Sequence, residues 1–163
     1  ATGATMKSAY RALSIALIAS LAAMAAQAHH SFAMFDRSTE VVKTGTVQRW
    51  AFNNPHSWLY VNVANADGTQ TLWSFESASP TQLIGRGITG SSFEPGTKVT
   101  VMFCPLRDGR AGGGIGWVMT PDGKYHSTAD GGCNGSEENI ARWKGWLKLG
   151  YSSNKDAQIS GAK

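Results

Sequence analysis

The sequence predicts an all-β protein, a five-stranded OB-like β-barrel followed by a C-terminal helical extension. Nineteen glycines, with charged residues at only 16%, favour a turn-rich β protein over a helical bundle or a disordered chain. Candidate elements follow one another as three strands, a helix and two strands, the β-β-β-α-β-β order of an OB barrel. The last part of the chain has helical spacing of its apolar residues and does not fit that barrel.

The N-terminal segment has the layout of a leader and secretory signal peptide, residues 1–28. Lys7 and Arg11 precede the apolar run Ala12–Ala25, and the ending Ala26-Gln27-Ala28 has the small residues of a cleavage site. We therefore expect a periplasmic or secreted bacterial protein that starts at His29. The apolar run is too short to cross a bilayer, and no later stretch approaches the ~20 residues required, so no transmembrane segment is expected.

Strands one to three form a predicted meander. Glu40–Trp50 is rich in β-branched residues, and Asn53–Pro55 ends it. The second strand, His56–Asn65, has covered residues on both faces. A tight turn at Asp67–Gly68 leads to the third strand, Thr71–Glu76.

A short helix and two strands complete the predicted barrel domain, residues 29–125. Ser79 caps a helix that starts at Pro80 and ends at one of the following glycines. Lys98–Phe103 and Ile115–Met119 are the fourth and fifth strands.

Residues 126–163 are predicted to form the extension. A helix starts at Ser136–Glu138, and we expect its apolar side to pack on the barrel. A helix on a membrane surface is the alternative, because basic residues interleave with two tryptophans. From Ser152 onward we expect a frayed, polar tail.

Two cysteines, Cys104 and Cys133, lie in the exported part, where oxidising conditions favour a disulfide. Closing this loop would stabilise the fold by about 3 to 4 kcal/mol. The alternative, a thiolate metal ligand or nucleophile, lacks a CxxC motif or a neighbouring histidine.

Charge and motifs exclude several classes of function. The net charge of +4 falls to +2 once Lys7 and Arg11 are removed, and the remaining basic residues are scattered, so nucleic acid is not an expected partner. GxSxG, HExxH and P-loop motifs are absent. A non-catalytic protein is therefore favoured over an enzyme.

Histidine placement suggests a metal site. Cleavage before His29 would let its amino group and imidazole chelate Cu(II), which suits nitrogen-rich tetragonal sites. His56 is the natural further ligand because it follows a turn at the mouth of a strand, and His30 and His126 compete for that place. The alternative is a disordered N-terminal histidine pair and a His56 that hydrogen-bonds to backbone.

Aromatic residues on adjacent predicted strands define a second candidate surface. Trp50, Trp58 and Trp73, with the acidic Glu76, could form an exposed platform for a sugar or another planar ligand. Most of these rings are expected to be core or cross-strand contacts instead.

Several motifs resemble the small exported bacterial proteins grouped as DUF6152, over about residues 29–123. They are His29–Phe32, Gly45–Val47, Asn54–Ser57, Trp73 with Glu76, Ser79–Pro80, Leu83, Gly87, Gly96 with Val99 and Val101, and Asp108–Gly109. The resemblance implies an exported OB-like barrel and no established activity. Ile88 stands where family members commonly have Trp, and the cysteine-bearing tail looks like an addition.

The functional expectation is an exported, non-catalytic binding module of the bacterial cell envelope. Its partner would be a small molecule, a metal ion or another envelope protein. The alternative is a periplasmic copper-binding protein that uses the His29 chelate together with His56.

Overall fold

A computed structural model describes residues 32–161 of the chain. The predicted signal peptide and two of the proposed copper ligands, His29 and His30, lie outside the described residues. Among the helices of residues 32–161, none has the length and apolar character needed to span a membrane.

Five strands close into a barrel, which confirms the predicted OB-like fold. Neighbouring strands pair antiparallel as β1–β2, β2–β3, β1–β4 and β4–β5, and a parallel β3–β5 pairing closes the ring. The strands are β1 (Val41–Ala51), β2 (Trp58–Ala64), β3 (Gln70–Glu76), β4 (Lys98–Pro105) and β5 (Gly112–Met119).

Glycines make the barrel closure possible. Gly112, Gly113 and Gly114 are the β5 residues paired with the end of β3. A Cβ on Gly112 would overlap the carbonyl oxygen of Ser74, and one on Gly113 would overlap that of Cys104. Strand β5 can approach β3 closely at Gly112, and β4 closely at Gly113, only because these side chains are missing.

Alternating residues fill the barrel. On β2, Leu59, Val61 and Val63 point inward, and the intervening residues are half-buried. The helix α1 (Pro80–Ile84) covers one end, with Leu83 in the core and a capping box between Ser79 and Gln82.

The C-terminal extension is more ordered than the sequence suggested. A short strand, β6 (Tyr125–Ser127), pairs with β5, and two helices follow, α2 (Glu137–Lys148) and α3 (Asn154–Ile159). The prediction of a frayed tail from Ser152 was wrong. Asn154 hydrogen-bonds the backbone of Ser38 and Glu40, and these long-range contacts hold a segment whose composition alone favours disorder.

Two further features attach the extension to the barrel. The Cys104–Cys133 disulfide is present, as predicted. Glu40, next to β1, accepts hydrogen bonds from three α2 side chains, Asn139, Arg142 and Trp143, at 2.8, 3.0 and 2.7 Å. The apolar side of α2 is buried inside the molecule, so its tryptophans pack within the protein.

Candidate metal site

Three segments bring one histidine and two carboxylates together. His56 lies two residues before β2, in the β1–β2 loop, and Glu76 is the last residue of β3. Because Trp58 pairs with Glu76 in the sheet, a residue just before β2 lies beside the end of β3. Asp130 comes from the loop between β6 and α2.

The ligand atoms of this cluster lie close to one another. Nδ1 of His56 is 2.7 Å from Oδ2 of Asp130 and 3.2 Å from Oε1 of Glu76. All three residues offer one ligand atom within 4.8 Å of the others. One imidazole nitrogen therefore faces two carboxylate oxygens at once.

These short distances are not hydrogen bonds of good geometry. Nδ1 of His56 is fully buried, and neither carboxylate oxygen is aligned to accept a proton from it. A buried polar nitrogen normally has a directional partner, so its absence calls for an explanation. A nitrogen and two oxygens that converge without an N–H axis between them are arranged as ligands around a cation would be.

Electrostatics make the cluster costly without a cation. Burial raises the pKa of Glu76, the nearby Asp130 carboxylate raises it further, and His56 acts in the opposite direction. Two carboxylates share one imidazole here, so a divalent ion would relieve their repulsion.

Backbone contacts hold the loop that carries Asp130. The Thr128 carbonyl accepts hydrogen bonds from the Ala78 N–H and the Ser77 hydroxyl, at 3.0 and 2.9 Å. The Arg86 guanidinium donates to the carbonyls on either side, and Cys133 ties the far end of the loop to β4. Asp130 is therefore fixed by contacts distant in sequence.

The residues present fit a first-row divalent ion. Imidazole and carboxylate ligands bind Zn²⁺ at about 2.0 to 2.2 Å, which puts neighbouring ligand atoms roughly 3.4 Å apart in a tetrahedral site. To meet that spacing, Asp130 would have to move away from His56 by less than ~1 Å, while the oxygens of Glu76 and Asp130 already lie within 4.8 Å of each other. Three protein ligands leave one position open, as in zinc sites that bind a further ligand.

Sequence reasoning named two of the three cluster residues for different roles. His56 was predicted as a copper ligand and Glu76 as part of a ligand surface, and the structure places them side by side. Asp130 was missed, because no local motif marks it. A Gly-Gly pair ahead of a cysteine was the only signal in that segment.

The remaining predicted site residues lie apart from this cluster. His126 contacts the Thr120 hydroxyl through Nε2 at 3.1 Å and stacks edge-on against Phe93, and burial lowers its pKa. Trp50 belongs to the core, and Trp73 packs against the core from its margin.

Trp58, in contrast, lines a small cavity beside the cluster. Its volume is about 130 Å³, and Glu76 forms part of its wall. Residues of β2, β3 and the β4–β5 loop line the cavity. The other lining residues are Met34, Phe35, Ser74, Leu106, Arg110 and Gly113.

Fold and site together define a small OB-like barrel with a candidate cation site at the end of β3. The chain belongs to the family described as a family of unknown function, DUF6152, which it matches over residues 16–115. No curated protein and no solved structure matches the chain. The family match includes His56 and Glu76 but stops before Asp130 and Cys133.

Proposed function

We propose that this chain is an exported binding module of the bacterial cell envelope that holds a divalent transition-metal ion through His56, Glu76 and Asp130. The observation that carries the proposal is the buried Nδ1 of His56, which faces two carboxylate oxygens without an aligned hydrogen bond. Its role is to bind the ion rather than to catalyse a reaction.

Burial and exposure support reversible binding. The Glu76 side chain is 9% exposed and the His56 side chain 30% exposed. A cation on this cluster would be largely desolvated by the protein yet within reach of solvent. Imidazole favours zinc, copper, iron and nickel over magnesium and calcium.

Export is supported by the disulfide and by the layout of the first 28 residues. Disulfides persist mainly in oxidising compartments such as the periplasm. Protease protection of the chain in intact cells, lost when the outer membrane is opened, is the measurement that tests this location.

A calorimetric Zn²⁺ titration of the full chain tests the metal site. We expect one site, with affinity reduced at least about tenfold in His56→Gln and in Asp130→Asn, because each removes a direct ligand. His126→Gln and Asp122→Asn are matched controls outside the cluster and should bind Zn²⁺ as the unsubstituted chain does. Equal affinity in all five proteins would contradict the proposal.

The pH dependence provides a second test. Zinc must displace the proton from imidazole and from Glu76 before either can bind it. Because the pKa of Glu76 is raised above its ordinary 4.5, affinity should fall as pH drops towards the raised pKa, before an ordinary carboxylate would protonate. A pH dependence that is the same in Glu76→Gln as in the unsubstituted chain would argue against Glu76 as a ligand.

Copper remains a second candidate, because the cluster includes His56, the residue predicted to complete the His29 chelate. Cu(II) binds nitrogen-rich sites more tightly than zinc does. Protein cleaved after Ala28 should then bind Cu(II) more tightly than protein that keeps one residue before His29, and His56→Ala should weaken both. Equal copper affinity in these proteins would contradict the proposed His29 chelate.

A further inference from the structure

We infer that the cavity beside Glu76 is a subsite for a small organic carboxylate, which binds next to the metal ion and pairs with Arg110. This inference rests on the proposed metal site. It extends the proposed function by naming the chemical class of a second ligand that binds beside the metal ion.

The shape and size of the cavity limit its occupant. A volume of about 130 Å³ is well below the ~300 to 1,000 Å³ of pockets for drug-sized ligands, so the ligand has only a few heavy atoms. Phe35, Trp58 and Leu106 supply an apolar wall, which favours a ligand with a short hydrocarbon body over a purely inorganic anion.

The charges around the cavity favour a carboxylate. Arg110 lies at the cavity, and its Nε and backbone N–H are both held by Asp108, at 2.8 and 3.1 Å. Among the described residues, no hydrogen-bond acceptor is paired with the two terminal nitrogens of this guanidinium. The Arg110 side chain is 69% exposed, and its outer edge can take a carboxylate through two parallel hydrogen bonds.

Glu76 connects the cavity to the metal site. The same side chain lines the cavity and belongs to the His56 cluster. Neither His56 nor Asp130 lines the cavity, so a metal ion bound to Glu76 would lie at the edge that Glu76 forms. A small carboxylate would meet a cation at this edge and the Arg110 guanidinium at the rim.

The position in the fold agrees with this assignment. OB-type barrels bind their ligands on the face of strands two and three, between the β1–β2 and β4–β5 loops. His56 belongs to the first of these loops and Arg110 to the second. The cavity residues Trp58, Ser74 and Glu76 lie on β2 and β3.

Propionate is a suitable probe because it has a carboxylate and a two-carbon body. Binding energies of two ligands are coupled reciprocally, so propionate should raise the Zn²⁺ affinity of the full chain by about fivefold or more. Propionamide, its neutral counterpart, should not. Arg110→Gln should abolish the increase, whereas Arg49→Gln, at an arginine stacked on Tyr60 away from the cavity, should retain it.

A second readout separates this inference from the metal proposal. Propionate should shift the indole N–H resonance of Trp58 in the zinc-loaded chain, with assignment by Trp58→Phe. If Zn²⁺ binds and propionate changes neither the affinity nor this resonance, the carboxylate subsite is wrong and the metal site stands. If Zn²⁺ does not bind at all, the metal proposal fails, and with it this inference.

Discussion

Two buried glutamates, Glu40 and Glu76, differ in how their charges are compensated. Glu40 accepts hydrogen bonds from Asn139, Arg142 and Trp143, all on α2. Glu76 is equally buried, but the described residues give it one nearby nitrogen, Nδ1 of His56, and a second carboxylate. A buried charge must be compensated, so the first arrangement is structural and the second is suited to a cation.

The largest loss of stability should follow removal of the Glu40 carboxylate. Glu40→Ala leaves the N–H groups of the Asn139 and Trp143 side chains buried without an acceptor, so we expect the free energy of unfolding to fall by about 3 to 5 kcal/mol. Urea denaturation measures the loss. Glu94→Ala, at an exposed glutamate, is the control, and an equal effect at both positions would refute a structural role for Glu40.

Removing the disulfide should destabilise both the extension and the site. The loop between Cys104 and Cys133 spans 29 residues, so replacing both cysteines by alanine should cost about 3 to 4 kcal/mol on the chain-entropy estimate. Zinc affinity should fall as well, because Asp130 lies three residues before Cys133. A variant that is less stable but binds zinc normally would show that the other loop contacts suffice to place Asp130.

In metal-free protein, Glu76→Gln should raise the free energy of unfolding, whereas Glu40→Ala should lower it. The raised pKa of Glu76 means that stability present below pH 4.5 is lost as pH rises through the raised value. Glutamine carries no charge and avoids that loss, so the variant should be more stable at neutral pH and bind zinc more weakly. Thermal unfolding against pH tests this, with Glu94→Gln as control. Lower stability at neutral pH would contradict the proposed charge strain.

The smallest effect is expected at Arg86, which is exposed and supports the Asp130 loop from outside. Arg86→Ala removes hydrogen bonds to the carbonyls of Ser127 and Ala129, which should cost roughly 0.5 to 1.5 kcal/mol. Zinc affinity should fall a few-fold. Arg37→Ala, at another exposed arginine, is the matched control, and identical zinc affinities would exclude a positioning role for Arg86.

The barrel itself could be predicted because its signals are local. β-branched alternation marked β1 and β2, the Asp67–Gly68 turn separated β2 from β3, and Ser79 marked the start of α1. These elements lie where the periodicity of their apolar residues and their turn residues predicted them. The cysteine pair could be predicted in the same way, because only two cysteines are present.

The third member of the site could not be predicted in this way. His56 and Glu76 are 20 positions apart, yet the β2–β3 register places them together, and Asp130 reaches them through a loop held by Arg86, Thr128 and Cys133. Register and loop placement depend on hydrogen bonds between residues far apart in sequence, which carry no periodic signal.

Sequence alone thus determined the class of fold and the disulfide, since apolar periodicity and turn chemistry are properties of neighbouring residues, and it named His56 and Glu76 only for two separate roles. Tertiary structure decided which carboxylates are buried together, and which of them is compensated by α2. The free-energy cost of burying a charge depends on the partners that packing supplies. Glu40 and Glu76 look alike in the sequence, and their surroundings alone make one an anchor for a helix and the other a candidate ligand.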